Sequence, residues 1–430
     1  MNFINRSVFL KRLIAEKDRD IVKVITGIRR CGKSVLLFDI FYNYLLEQGI
    51  NADRIIKVNL ETQKNKQYRD ADKLYNYVVS QIKDHNQRHY VFLDEIQLVP
   101  QFEDVVNGLR IDENCDVYVT GSNSQMLSKD INTKFRGRST EIRVYPLSFS
   151  EYKSYKKSVY CLDGEKKLGD FLLDGGPVEN DRKILKEYLL YGGFPYVAQL
   201  DTEEEKHRHL NAMCNTELLK DIKDRYNLKD KNENLLNALF DLLCSQIGSY
   251  VSANKITNYL KSNGYQTVTA DTVGNYLEYF CDAFLLYKVQ RYDIKGKQYL
   301  KSLNKYYVTD LGIRNSRLNF RQLEITHSIE NLVYLELIRR GYIVDIGKND
   351  NKEIDFFVRM RAETYYIQVS YKIDDPSTRE REMEAFKKLD DGYKKIIITM
   401  DDTPYKVLEK GYKILNLIEF LNNENSLETV

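Results

Sequence analysis

The chain has 430 residues, of which 43% are hydrophobic and 30% charged, and its net charge is only +2. That length exceeds what one hydrophobic core organises and predicts two to four domains, while the charge balance excludes a chain that is basic throughout in the manner of a general polyanion binder. No apolar run approaches the roughly 20 residues that cross a bilayer. The N-terminus lacks the apolar region of a signal peptide, and six cysteines are scattered without a Cys-x-x-Cys pair. Both observations point to the reducing cytoplasm, without disulfides or structural zinc.

Residues 1–150 alternate helix and strand patterns. A helix over about 6–16 precedes an apolar strand pattern, 21–26, followed by Gly27-Ile28-Arg29-Arg30-Cys31-Gly32-Lys33-Ser34. This stretch fits G-x-x-x-x-G-K-[ST] in full, between a strand and a helical pattern over 35–47. Its glycines let the backbone curl its N–H groups towards phosphate oxygens, and the helix N-terminus adds partial positive charge. In this reading Gly27, Arg29, Arg30, Cys31, Gly32, Lys33 and Ser34 cradle the nucleotide, Lys33 reaches its β- and γ-phosphates, and Ser34 holds Mg²⁺. After a second strand, 54–59, the run 90–93 reads as a buried parallel strand. It ends in Asp94 and Glu95, at the end where open α/β sheets place their ligands. Asp94 is expected to hold Mg²⁺ and Glu95 to polarise the attacking water. A fourth strand, 117–120, ends in Thr120-Gly121-Ser122-Asn123-Ser124, whose small polar residues, Ser122 and Asn123 among them, either contact the γ-phosphate or the attacking water or cap the next helix. Arg136 and Arg138, before a fifth strand at 141–145, can neutralise phosphoryl charge in their own subunit or a neighbour's.

Residues 151–225 read as a helical lid with a sharp turn at Gly192-Gly193-Phe194-Pro195. Residues 226–318 read as a winged helix-turn-helix, with Ser252 and Thr269 capping two helices. Strands 285–290 and 306–309 flank a basic wing carrying Arg291, Lys295, Lys297 and Lys301. This stretch holds 12 basic and 8 acidic residues, against 17 and 21 in residues 321–430, so a nucleic-acid contact is expected in the middle of the chain. The second helix carries Asp271, Glu278 and Asp282 and no Lys or Arg over 270–282, which weakens readout by that helix. Residues 319–430 form a separate α/β pattern, with helices 328–340 and 378–389 and strands 342–346, 354–358, 365–370 and 395–399.

These stretches, with Phe135-Arg136-Gly137-Arg138 and Tyr145-Pro146-Leu147-Ser148-Phe149, make the chain resemble the prokaryotic AAA-superfamily ATPases with a C-terminal domain of unknown function. The resemblance covers essentially the whole length. It implies an α/β fold: a P-loop AAA+-like parallel-sheet core (1–150), a helical lid (151–225), a winged-helix domain (226–318) and a C-terminal restriction-endonuclease-like α/β domain (319–430). It also implies ATP rather than GTP. Active nucleases of that last fold use a helical Glu, a strand Asp and an acid-x-Lys pair to hold metal and activate water. Glu330 and Asp355 match the first two. The third reads Gln368-Val369-Ser370, and Lys372, which shares the face of Ser370 if the strand continues, is left to compensate. The expectation is a degenerate module that does not cleave.

The expected function is Mg²⁺-dependent ATP binding and hydrolysis coupled to remodelling or binding of a partner. That partner is DNA, through the winged helix, or a protein, with no membrane; an arginine acting across subunits is compatible with a homo-oligomer. The alternatives are a slow-hydrolysing nucleotide switch for protein contacts and an ATP-controlled, metal-dependent DNA nuclease.

Overall fold

Five runs rich in Val, Ile, Phe and Tyr become the strands of the first sheet: β1 (Val22–Thr26), β2 (Ile55–Asn59), β3 (Tyr90–Asp94), β4 (Asp116–Gly121) and β5 (Ser139–Arg143). The structure, a computed structural model, describes residues 4–122, 135, 137–162, 177–228, 233–321, 324–402, 406–407 and 411–429. It divides into two units, residues 1–146 with 282–284, and residues 147–281 with 285–430.

In the first unit the strand order is β2-β3-β4-β1-β5 and every pairing is parallel. β1, β3 and β4 are buried at every position, as strands covered on both faces must be. Helix α1 is Ser7–Glu16, α3 is Ala71–Gln81 and α4 is Phe102–Ile111. Leu74 and Val78 of α3 and Val105, Val106 and Leu109 of α4 share one core with Val91, Val117 and Val119 of the sheet. Helix α2 begins at Lys33, two residues earlier than its apolar pattern predicts. It runs as Lys33–Val35, a π-helical segment Leu36–Phe41, and Tyr42–Glu47. Leu36, Leu37 and Phe41 are all buried in the wider turn, and the Phe41 ring lies 5.0 Å from Tyr118 and 5.8 Å from Phe92. The strand order places β1 between β4 and β5, so the chain leaves β1 at a switch point between neighbouring crossovers, where this class of sheet opens a crevice.

The second unit is built on a nine-stranded mixed sheet. Helices α5 (Phe149–Leu162), α6 (Pro177–Tyr191), α7 (Glu203–Met213) and α8 (Glu233–Ser245) precede β6 (Tyr250–Val251), and α9 (Ala253–Ser262) and α10 (Ala270–Asp282) follow it. Ser252 caps α9 by accepting from Lys255 N, and Thr269 Oγ1 accepts from Thr272 N at 3.2 Å at the start of α10. A hairpin, β7 (Leu286–Asp293) and β8 (Gln298–Val308), then leads through α11 (Leu311–Arg317) and α12 (Ile325–Arg340) to β9 (Ile343–Asn349), β10 (Lys352–Met360) and β11 (Glu363–Ser370). α13 (Pro376–Glu384), β12 (Lys394–Thr399), β13 (Lys406–Val407), β14 (Lys413–Asn416) and α14 (Leu417–Asn422) complete it.

The hairpin is longer than the sequence pattern predicts. Arg291 lies within β7 and Lys301 within β8, so the turn is reduced to residues 294–297. Two contacts extend it. Tyr292 and Tyr299 face each other across the hairpin with ring centroids 5.2 Å apart, and Tyr292 stacks on Phe357 at 5.1 Å. In addition, the end of β7 pairs in parallel with β9 through Arg291, Tyr292 and Asp293. The sheet therefore runs without a break from the hairpin into the strands of the C-terminal part.

Candidate active site

The turn after β1 is held in a conformation only its own residues allow. Gly27 has φ +141°, and a Cβ there would sit 2.1 Å from the Val144 carbonyl oxygen. Arg30 and Gly32 also have positive φ, 66° and 99°. Arg6, buried at the start of α1, braces this turn from below, donating to the Cys31 carbonyl at 3.3 Å and to the Tyr145 carbonyl at 2.5 Å. Lys33 is buried, and its Nζ donates to the carbonyls of Gly27 and Ile28 at 3.0 and 3.1 Å. The loop thus curls around its own ammonium group. Arg29 pairs with Glu61. The Cys31 thiol is fully buried, and that burial pushes its pKa up, which keeps it protonated and a poor nucleophile.

The parallel register brings the acids to this loop. Ser34 Oγ donates to Asp94 Oδ1 at 3.1 Å, Asn59 Nδ2 donates to Asp94 Oδ2 at 3.0 Å, and the Thr120 hydroxyl also donates to Asp94 Oδ1. Burial raises the Asp94 carboxyl above its ordinary range and the neighbouring Glu95 charge adds to this, while the hydrogen bonds from Thr120 and Ser34 oppose it. Glu95 sits in the left-handed region at φ 55°, ψ 49°, a strained state for a side chain of this size. Its backbone N–H donates to Thr120 Oγ1 at 3.0 Å. Its carboxylate accepts from Ser122 Oγ at 3.3 Å and from Gln97 Nε2. A hydroxyl and a carboxylate at hydrogen-bond distance, beside a buried lysine in a glycine-rich turn, are a donor set that fits Mg²⁺ and phosphate oxygens.

Asn59 and Gln97 are partners that the sequence reading did not assign, and Thr120, read only as part of a polar strand end, is found bonded to both acids. Asn59 was legible in principle: it is the polar residue ending the strand beside β3, in register with Asp94. Arg138 is not brought to this site. β1 and β5 run parallel with Val22 opposite Ser139, so Arg138 falls at the far end of the sheet, 3.6 Å from Asp20. This corrects the expectation of a role within its own chain. Asn123 and Arg136 lie outside the described residues.

In the second unit Glu330 of α12, Asp355 of β10 and Gln368 of β11 do converge, but each is engaged. Lys305 Nζ of β8 lies 3.0 Å from Glu330 Oε1 and 2.6 Å from Glu353 Oε1, and Tyr307 donates to Glu330 at 2.6 Å. Asp355 N donates to Gln368 Oε1 at 2.7 Å, Gln368 Nε2 donates to Glu382 at 3.1 Å, and Val369 N donates to Asp355 Oδ2 at 2.8 Å. Burial, reinforced by Glu330, holds Asp355 well above the carboxylate range despite Lys305. Lys372 lies beyond the end of β11, where its backbone carbonyl accepts from Ser370 Oγ at 3.1 Å. Because the strand stops at Ser370, the expectation that Lys372 continues its face is not met. The buried ammonium beside Glu330 comes instead from Lys305, 67 residues before Lys372 and unreadable as a partner from local spacing. Among the described residues no group of three or more His, Cys, Asp or Glu is arranged to hold a metal ion.

Comparison with known proteins gives this geometry a context. An AAA domain model matches residues 19–153, and a model described as a domain of unknown function (DUF8612) matches residues 182–324. An uncharacterised protein of Haemophilus influenzae is 37% identical over 92% of this chain and 93% of its own length. One from Methanocaldococcus jannaschii is 31% identical over 90% of this chain and 81% of its own. A Walker-type ATPase of Pyrococcus abyssi shares the fold at a TM-score of 0.50 and 13% identity, over 74% of this chain and 96% of that one. With the P-loop and the acidic strand end meeting on a five-stranded parallel sheet, the chain belongs to the P-loop ATPases of the AAA superfamily that carry a C-terminal domain of unknown function.

Proposed function

We propose that the first unit binds ATP with Mg²⁺ and hydrolyses it, and that this cycle drives binding to, or remodelling of, a macromolecular partner. The observation that carries the reading is the meeting of Lys33, Ser34, Asp94, Glu95 and Ser122 at one end of the parallel sheet. Mg²⁺, when bound, neutralises charge on the phosphates. Ser34 and Asp94 hold it, and Lys33 exchanges the carbonyls of Gly27 and Ile28 for phosphate oxygens. Glu95 orients the attacking water and Ser122 senses the terminal phosphate. Phosphoryl transfer asks little more of a protein than such positioning and electrostatics. A charge-stabilising arginine, if Arg138 supplies it, acts across to a second copy.

The test is phosphate release with Mg·ATP beside a binding assay. Lys33→Ala is expected to lose nucleotide binding. Glu95→Gln is expected to keep binding and lose turnover by about 100-fold or more. Full binding by Lys33→Ala, or full turnover by Glu95→Gln, overturns the assignment. One observation favours a second reading, the slow switch: the Glu95 carboxylate is already engaged by Gln97 and Ser122. Tight ATP binding with turnover far below one per minute supports it.

For the C-terminal part, a restriction-endonuclease-like module that binds rather than cuts is the reading we favour. Gln368 is neutral, and Lys305 already occupies Glu330 and Glu353.

A further inference from the structure

Two cavities of the second unit meet at one side chain, Tyr250 of β6. The first, about 260 Å³, is lined by Tyr250, Arg291, Lys348, Asp350, Lys352 and Glu353. The second, about 310 Å³, shares Tyr250 and is lined also by Leu242 of α8, by Gln246 and Ser249, and by Lys255 and Tyr259 of α9. The first lies just below, and the second at, the lower bound of about 300 Å³ for small-ligand sites.

The first cavity is prepared for an anion. The Arg291 guanidinium carbon lies 4.7 Å from the Tyr250 ring centroid. Stacking of this kind immobilises the guanidinium while leaving its in-plane N–H donors for an acceptor, the arrangement that matches phosphate. Its Nε is buried with no hydrogen-bond partner. The two acids that line it are engaged by lysines that do not. Asp350 is 2.6 Å from Lys295 and 3.7 Å from Lys388, and Glu353 is 2.6 Å from Lys305. Lys348 reaches Asp293 only at 3.7 Å and is partly exposed. Lys352 is held 2.9 Å from Glu384, so the positive charge left to the cavity is that of Arg291 and Lys348. In the second cavity Tyr259 is 53% exposed, a large ring open to stacking beside Lys255.

We propose that this double cavity binds a single-stranded nucleic acid, a backbone phosphate lying against Arg291 and Lys348 and a base stacking on Tyr259. An exposed tyrosine among cations suits single strands because every base has a face to stack, while a duplex buries its faces. The site differs from a winged-helix reader, since it uses neither α10, which has no Lys or Arg, nor the hairpin turn. It deepens the proposed function by naming the chemistry of its partner, and so rests on that reading.

The experiment is anisotropy of a labelled 20-nucleotide single strand with the full chain, without ATP, over a salt series. Arg291→Ala and Lys348→Gln are each expected to raise Kd and to lower the slope of log K against log salt by about 0.7. Tyr259→Ala is expected to raise Kd about fivefold or more. Arg291→Lys, which keeps charge but loses the fork, falls between, and thermal melts show which variants stay folded. Lys297→Ala, in the hairpin turn, leaves Kd unchanged. Any of four results overturns the proposal: unaltered binding by folded Arg291→Ala and Lys348→Gln, an equal loss in Lys297→Ala, tighter binding of the matching duplex that these variants do not affect, or displacement of the strand by inorganic phosphate or polyglutamate at equal charge concentration. Phosphate release by the wild-type chain without nucleic acid tests the ATPase reading separately, so the two can fail independently.

Discussion

One hydroxyl, that of Thr120, joins both candidate acids. It donates to Asp94 and accepts the backbone N–H of Glu95, so it fixes the strained backbone on which the Glu95 carboxylate depends. Thr120→Val keeps the shape and removes both bonds. We expect kcat to fall on the order of 10-fold, with KM within about twofold, because the loss is in positioning rather than in substrate contact. Thr120→Ser should restore most of the rate. Steady-state kinetics on the three proteins decide the matter, and an unchanged kcat in Thr120→Val removes the role. The phosphate loop and the acids were legible in the sequence because each is a contiguous motif. Asn59 was not assigned a role, and the joining of both acids by Thr120 was not foreseen, because what they do depends on which strands are neighbours.

At the scale of elements, the first sheet encloses a charge pair that its apolar pattern conceals. Lys23 of β1 and Asp116 of β4 are fully buried and paired. Asp116 also accepts from Asp18 N at 2.9 Å and from the Tyr118 hydroxyl at 2.8 Å, and Lys23 donates to the Arg19 carbonyl at 2.8 Å. Asp116→Ala leaves a buried, unpaired ammonium and should cost about 3–5 kcal/mol. The double change Lys23→Met, Asp116→Leu should recover most of it. Denaturant unfolding measures both, and nucleotide affinity should be preserved in whatever remains folded, since the pair lies at the opposite end of the strands from the loop. The hairpin makes the complementary point. Local pattern gave short strands around a basic wing, but pairing with β9 and the Tyr292–Phe357 contact lengthen β7, and neither is visible to a reading confined to neighbouring residues.

At the scale of the molecule, distant segments of the second unit close on a single carboxylate. Asp310, fully buried before α11, accepts from Gly193 N at 2.6 Å and from Gly312 N at 2.8 Å. Gly192 has φ +73°, and a Cβ there would lie 1.9 Å from Asp310 Oδ1. The Gly-Gly turn read from sequence is thus shaped by a residue 117 positions away. Burial pushes the Asp310 carboxyl up to about 6 against the hydrogen bonds that favour its charge. The folded state then holds more protons than the unfolded one between about pH 4 and 6. This group's contribution therefore falls as pH rises through that window, by about 3 kcal/mol for a shift of about two units, and its full cost is present above it. Asp310→Asn lacks that part, so its stability relative to wild type should climb from pH 4 to 7. Urea midpoints at each pH test this, and a constant difference shows that Asp310 titrates as in the unfolded chain. By itself the sequence determined the parallel α/β core, the loop that cradles phosphate and the acids at the strand end. Those depend on periodicity and on residues adjacent in the chain. Only the tertiary structure decided that Arg138 faces away from the loop, that Lys305 occupies the acid cluster of the C-terminal sheet, and that one sheet runs through the hairpin into it. Strand order and long-range pairing are set by which apolar surfaces cover one another, and that choice is made over the whole chain rather than within any window of it.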